Sequence, residues 1–133
     1  MIQKYDHVGM AVQNADDAFA IFSQLFGFEK GESITDPAAG FKSTLISKSD
    51  VTIELLEPIG QQGMIQKFID KRGAGLHHVS IRVSNLDEEI KRLRAQGVQF
   101  IGEAPVQVTA TSKNIFIHPR SANGLLIELV QRD

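Results

Sequence analysis

Polar and apolar positions alternate strictly in two stretches of the chain. In DHVGMAV, His7, Gly9 and Ala11 alternate with Val8, Met10 and Val12. A period of two predicts a half-buried strand over about 5–12. The period then changes: Phe19, Phe22 and Phe26 recur at helical spacing in DDAFAIFSQLFG, with Asn14 as N-cap and Gly27 as the stop. Phe28 opens a short strand, and ITDPAAG reads as a turn or loop. FKSTLIS and VTIELLE follow as two antiparallel strands around the polar turn from Lys48 to Asp50.

The same succession then recurs. His78, Ser80 and Arg82 alternate with Val79, Ile81 and Val83, a strand over about 77–83. Asn85 caps the helix LDEEIKRLRAQ, Glu88 gives a capping-box-like pattern, and Gly97 ends the helix as Gly27 ends the first. VQFIGE echoes GFEKGE, and NIFIHP and GLLIELVQ are again paired strands. Each half therefore reads β-α-β-β-β, an internal repeat. PIGQQGMIQKFIDKRGAG joins the halves and holds one short helix at about 62–71. The expected fold is α+β: two βαβββ modules, about 1–60 and 75–133, in one domain 1–133. Their strands are expected to form a curved mixed sheet around a concave metal site.

Parity carries the chemistry. Successive strand side chains point to opposite faces. Glu54 therefore opposes Ile53 and Leu55, and Glu128 opposes Ile127 and Leu129. The apolar faces should pack under the two helices, which leaves His7, Glu54, His78 and Glu128 free to converge. A lone histidine at a strand start is more often an ordinary hydrogen-bonded group. A His and a Glu at matching places in both modules form instead a metal-ligand pattern. Two imidazoles and two carboxylates suit a divalent transition metal with room for substrate oxygens. Such a metal stabilises an enolate as a Lewis acid, and a carboxylate beside it can move a proton.

Composition narrows the rest. The chain has 133 residues, 42% hydrophobic and 23% charged, enough for one core. A net charge of -2 gives no reason to expect nucleic acid or an anionic membrane as partner. There is no cysteine, so any metal must sit on nitrogen and oxygen. Apolar runs such as GLLIELV are too short to span a bilayer, and MIQKYDHV carries no signal-peptide pattern, so a cytoplasmic protein is expected. His77 points away from His78 by parity and reads as structural, and His118, before Pro119, reads as a strand end. Lys71, Arg72 and Arg120 read as solvated cations that could also meet the phosphates of a large substrate. Thr111 and Ser112 lie in VTATSKN, a small-residue loop that borders the site or merely turns.

The paired modules with His…Glu…His…Glu resemble the vicinal oxygen chelate superfamily of glyoxalase I, extradiol dioxygenases and bleomycin-resistance proteins. Within it the chain is most similar to the methylmalonyl-CoA epimerase branch, through DHVGMAV, IELLEPIG, KFIDKRGAGLHHVSIRV and IFIHPRSANGLLIEL. The resemblance implies metal ligation by His7, Glu54, His78 and Glu128, with Glu128 also moving a proton. It implies cobalt ahead of nickel, manganese or zinc, an acyl-CoA substrate, inversion of an α-carbon through a thioester enolate, and a homodimer. The alternatives are a glyoxalase-I-like lactoylglutathione lyase and a non-catalytic binding protein of the bleomycin-resistance kind. Where some relatives carry a second acid/base glutamate two residues before a glycine, this chain has Ala38 before Gly40, with Asp36 out of register. Where relatives read GAHG or GARG, this chain reads TATS.

Overall fold

The computed structural model describes residues 1–133. The elements run β1 (Ile2–Ala11), α1 (Ala15–Phe26), β2 (Glu29–Asp36), β3 (Phe41–Lys48), β4 (Val51–Pro58), α2 (Met64–Arg72), β5 (Gly75–Val83), α3 (Leu86–Ala95), β6 (Phe100–Thr109), β7 (Ser112–Ile117) and β8 (Ile127–Arg132). The chain divides into two compact units, His7–His77 and His78–Asp133, the latter including Met1–Asp6. No helix is long and apolar enough to cross a membrane.

In the unit His7–His77 the strands lie in the order β2-β3-β4-β1. β1 and β4 are parallel, with Gly9 opposite Glu54, and β3 is antiparallel to β4, with Leu45 opposite Glu54. One face is apolar: Ile46, Ile53 and Leu55 pack with Met10, Ala15, Phe19 and Phe22 under α1. Asn14 Oδ1 accepts from the Asp17 amide and Gly27 closes the helix at φ 74°. A second cap comes from the sheet, where Glu57 Oε1 accepts from the Ala15 amide at 2.8 Å. The linker helix α2 packs Ile65 and Ile69 on Ala11 and Leu56. By parity these share a face with His7 and Glu54, so α2 walls one end of the ligand-bearing face.

In the other unit the order is β5-β8-β7-β6. β5 and β8 are parallel with Ser80 opposite Glu128, and β7 is antiparallel to β8 with Phe116 opposite Glu128. Val83, Ile115 and Leu129 pack with Leu86 and Ile90 under α3. Asn85 Oδ1 accepts from the Glu88 amide, and Gln131 Oε1 accepts from the Leu86 amide at 2.8 Å. Glu57 and Gln131 thus perform the same task three residues beyond Glu54 and Glu128. Met1–Asp6 is tied in by Ser84 N donating to Met1 O at 3.0 Å. The buried Asp6 carboxylate takes hydrogen bonds from Arg82 Nε at 2.8 Å and from Arg132 Nε and Nη2 at 2.9 Å.

The expected element order is observed, with three boundaries moved. ITD belongs to β2, because Ile34–Asp36 pairs with Phe41–Ser43 across the hairpin. Val106–Thr109 belongs to β6, pairing with β7, so the VTATSKN segment is strand around a turn at 110–111. The linker helix begins at Met64 and runs to Arg72. At the two strand boundaries, pairing across the hairpin outweighs local turn composition.

Candidate metal and proton-transfer site

The parallel register of β1 and β4 puts His7 two residues before Gly9, the partner of Glu54. Both side chains therefore share one face, with His7 Nε2 3.5 Å from Glu54 Oε1. His7 is buried, while Glu54 keeps 19% of its side chain exposed. Glu54 Oε2 accepts a 2.6 Å hydrogen bond from Ser43 Oγ on β3.

The second module repeats the pattern with different supports. His78 is buried and meets the Phe116 ring edge-on, with centroids 5.4 Å apart. Glu128 is 5% exposed. Its Oε1 accepts from Ser80 Oγ at 2.6 Å and its Oε2 from Asn114 Nδ2 at 2.7 Å.

Each unit thus carries one imidazole and one carboxylate: His7 and Glu54, 3.5 Å apart, in His7–His77, and the buried His78 and Glu128 in the other. Donors on one ion at about 2.1 Å lie up to about 4.2 Å apart, so the His7–Glu54 pair at 3.5 Å has the spacing of two ligands of one cation. The set contains imidazole nitrogen and carboxylate oxygen without sulfur, which fits a divalent transition metal. The other sequence-chosen carboxylate, Glu128, is seated by Ser80 and Asn114.

The remaining polar residues have structural engagements. His77 packs edge-on against Phe68 of α2, centroids 5.0 Å apart. His118 Nδ1 accepts from the Arg120 amide at 3.1 Å and caps the short turn Pro119–Ser121, as a strand-end residue does. Arg72 lies over the Phe68 ring at 5.8 Å. Ser112 is buried and bonded to Thr109 Oγ1 at 2.8 Å. Asp36 Oδ1 accepts from the Ala39 amide at 3.0 Å, closing its own turn, and Ala38 is exposed on it. Ser43, Ser80 and Asn114 were missed as site residues from sequence. The usable signal was parity: each is a small polar residue on the face that carries Glu54 or Glu128.

The profile of the glyoxalase/bleomycin resistance protein/dioxygenase superfamily matches residues 6–116. The chain is 32% identical over 133 residues to the ethylmalonyl-CoA/methylmalonyl-CoA epimerase of Cereibacter sphaeroides, covering 98% of this chain and 99% of that one. The crystal structure of methylmalonyl-CoA epimerase from Mycobacterium tuberculosis superposes with a TM-score of 0.92 at 36% identity, covering 99% of this chain and 89% of that one. A methylmalonyl-CoA epimerase in complex with methylmalonyl-CoA and NH4+ superposes with a TM-score of 0.90 at 25% identity, covering 99% and 96%. The α+β fold of two βαβββ modules is therefore the glyoxalase-like fold of these epimerases.

Proposed function

Because the chain belongs to the glyoxalase/bleomycin resistance protein/dioxygenase superfamily, we propose that it is a metal-dependent methylmalonyl-CoA epimerase. The observation that carries this reading is the His7–Glu54 pair at 3.5 Å, matched by the buried His78 and Glu128 of the second module, in a chain that follows epimerases nearly end to end. His7, Glu54, His78 and Glu128 hold the metal. Bound there, a divalent ion supplies Lewis-acid stabilisation of the negative charge that develops on the thioester carbonyl.

The residues of the chain do the proton work. Glu128 takes the α-proton from one face of the substrate and can return it to that face. Inversion requires a proton delivered to the opposite face. Asp36 is engaged by the turn it closes, so Glu54 or a water molecule is assigned that delivery. Burial of His7, His78 and Glu128 limits water around the ligand atoms, which strengthens electrostatic stabilisation there. The substrate is an acyl-CoA, the favoured metal is cobalt, and the working protein is a cytoplasmic homodimer of single-domain chains.

Proton NMR of methylmalonyl-CoA in D2O with the cobalt-loaded protein tests this. Metal-dependent loss of the α-proton signal is expected. Its persistence with cobalt bound would overturn the epimerase reading and direct the search to hemithioacetals and other acyl substrates.

A further inference from the structure

The two carboxylates at corresponding places in the modules differ in how they are flanked. Glu54 on β4 has Gly9 opposite it on β1 and Leu45 opposite it on β3. Ser43, opposite Leu56, reaches it diagonally. Glu128 on β8 has Ser80 opposite it on β5 and Phe116 opposite it on β7. Asn114, opposite Val130, reaches it diagonally as Ser43 reaches Glu54. Asn114 thus corresponds to Ser43, and Ser80 corresponds to Gly9. The second module has a side-chain donor on the flank where the first has only a glycine.

The consequence for Glu128 is geometric. One donor reaches each carboxylate oxygen, at 2.6 and 2.7 Å, from strands on opposite sides of β8. Two bonds to different oxygens resist rotation of the carboxylate plane, and each oxygen keeps further acceptor capacity. Ser80 is fully buried. A buried hydroxyl without a partner would be costly, so the Ser80–Glu128 bond is strongly favoured once the strands pair.

We propose that Ser80 and Asn114 are positioning residues that clamp Glu128 from both flanks, holding it as metal ligand and proton carrier. This rests on the metal-dependent epimerase reading above. Residues that orient a ligand typically change metal affinity or activity by 10–100-fold when removed, and the clamp should fall in that class.

The test uses the full chain with Ser80→Ala, Asn114→Leu and, as the hydroxyl-preserving variant, Ser80→Thr. Cobalt affinity is measured by absorbance titration of the metal-free protein, and kcat and KM by α-proton exchange at saturating cobalt. Ser80→Ala and Asn114→Leu are each expected to weaken cobalt binding and lower kcat by roughly 10–100-fold, with KM little changed. Ser80→Thr should restore both. Wild-type kcat in either variant at saturating cobalt would overturn the clamp. So would equal losses in Ser80→Ala and Ser80→Thr, which mark a packing role. If Ser80→Ala fails to fold, Asn114→Leu and Ser80→Thr decide the question. If the wild type binds cobalt but exchanges no proton, the epimerase reading falls. Cobalt affinity then judges the clamp alone, and unchanged affinity in the variants overturns it.

Discussion

Gly40 and Gly63 meet backbone to backbone: a Cβ on Gly40 would lie 2.7 Å from Gly63 Cα, and one on Gly63 would lie 2.8 Å from Gly40 Cα. The contact pins the β2–β3 turn, which carries Asp36 and Ala38, against the start of α2. Gly40 also sits at φ 83°, where a side chain is strained, whereas Gly63 has an ordinary φ of -75°. Gly63→Ala is expected to destabilise by about 1–3 kcal/mol through overpacking. Gly40→Ala should cost more. Thermal unfolding of both variants checks the order.

Asp6 is the buried centre of an ion-pair cluster, its side chain 2% exposed against 29% and 30% for Arg82 and Arg132. Removing one partner of a buried pair typically costs about 3–5 kcal/mol. The partly solvated arginines lower that, so Asp6→Asn should cost about 2–3 kcal/mol. A lower urea midpoint at unchanged m-value would report it.

Glu89 contributes a pH dependence. Its hydrogen bond to Arg92, and next its bond to the Met1 ammonium, hold the carboxyl below the usual glutamate value. A depressed folded-state pKa adds stability above the unfolded-state pKa, and that stability is lost as pH falls through the folded-state value. Stability should therefore decline below about pH 4.5, and Glu89→Gln should flatten that part of the profile. Thermal melts from pH 3 to 7 would check this.

Cobalt should stabilise the fold. Ligand at about 100 times its Kd adds about 2.7 kcal/mol, visible as a raised melting temperature that EDTA reverses. His7→Ala should abolish the shift.

Glu128→Gln separates ligation from proton transfer. General acid–base groups contribute about 10²–10⁴-fold, so α-proton exchange should fall by that order at saturating cobalt. Exchange at the wild-type rate would remove Glu128 from the proton path.

The repeat, the caps at Asn14 and Asn85, and the shared face of His7 with Glu54 were legible in the sequence. Each depends on spacing within one element or on strand parity, and these are local properties of the chain. Boundaries were less legible: Ile34–Asp36 and Val108–Thr109 read as loops, yet they lie in strands because β3 and β7 pair with β2 and β6. The supports of the carboxylates were not legible at all. Ser80 precedes Glu128 by 48 positions, and only the β5–β8 register makes them partners.

The sequence by itself determined which residues share a face, because backbone geometry alone imposes periods of two and 3.6. Tertiary structure decided what each face meets. It set α2 over Ala11 and Leu56, drew Gly40 onto Gly63, and gave Glu128 a donor on both flanks but Glu54 a glycine on one. These are contacts between segments far apart in the chain, chosen by packing and hydrogen-bond satisfaction rather than by local pattern.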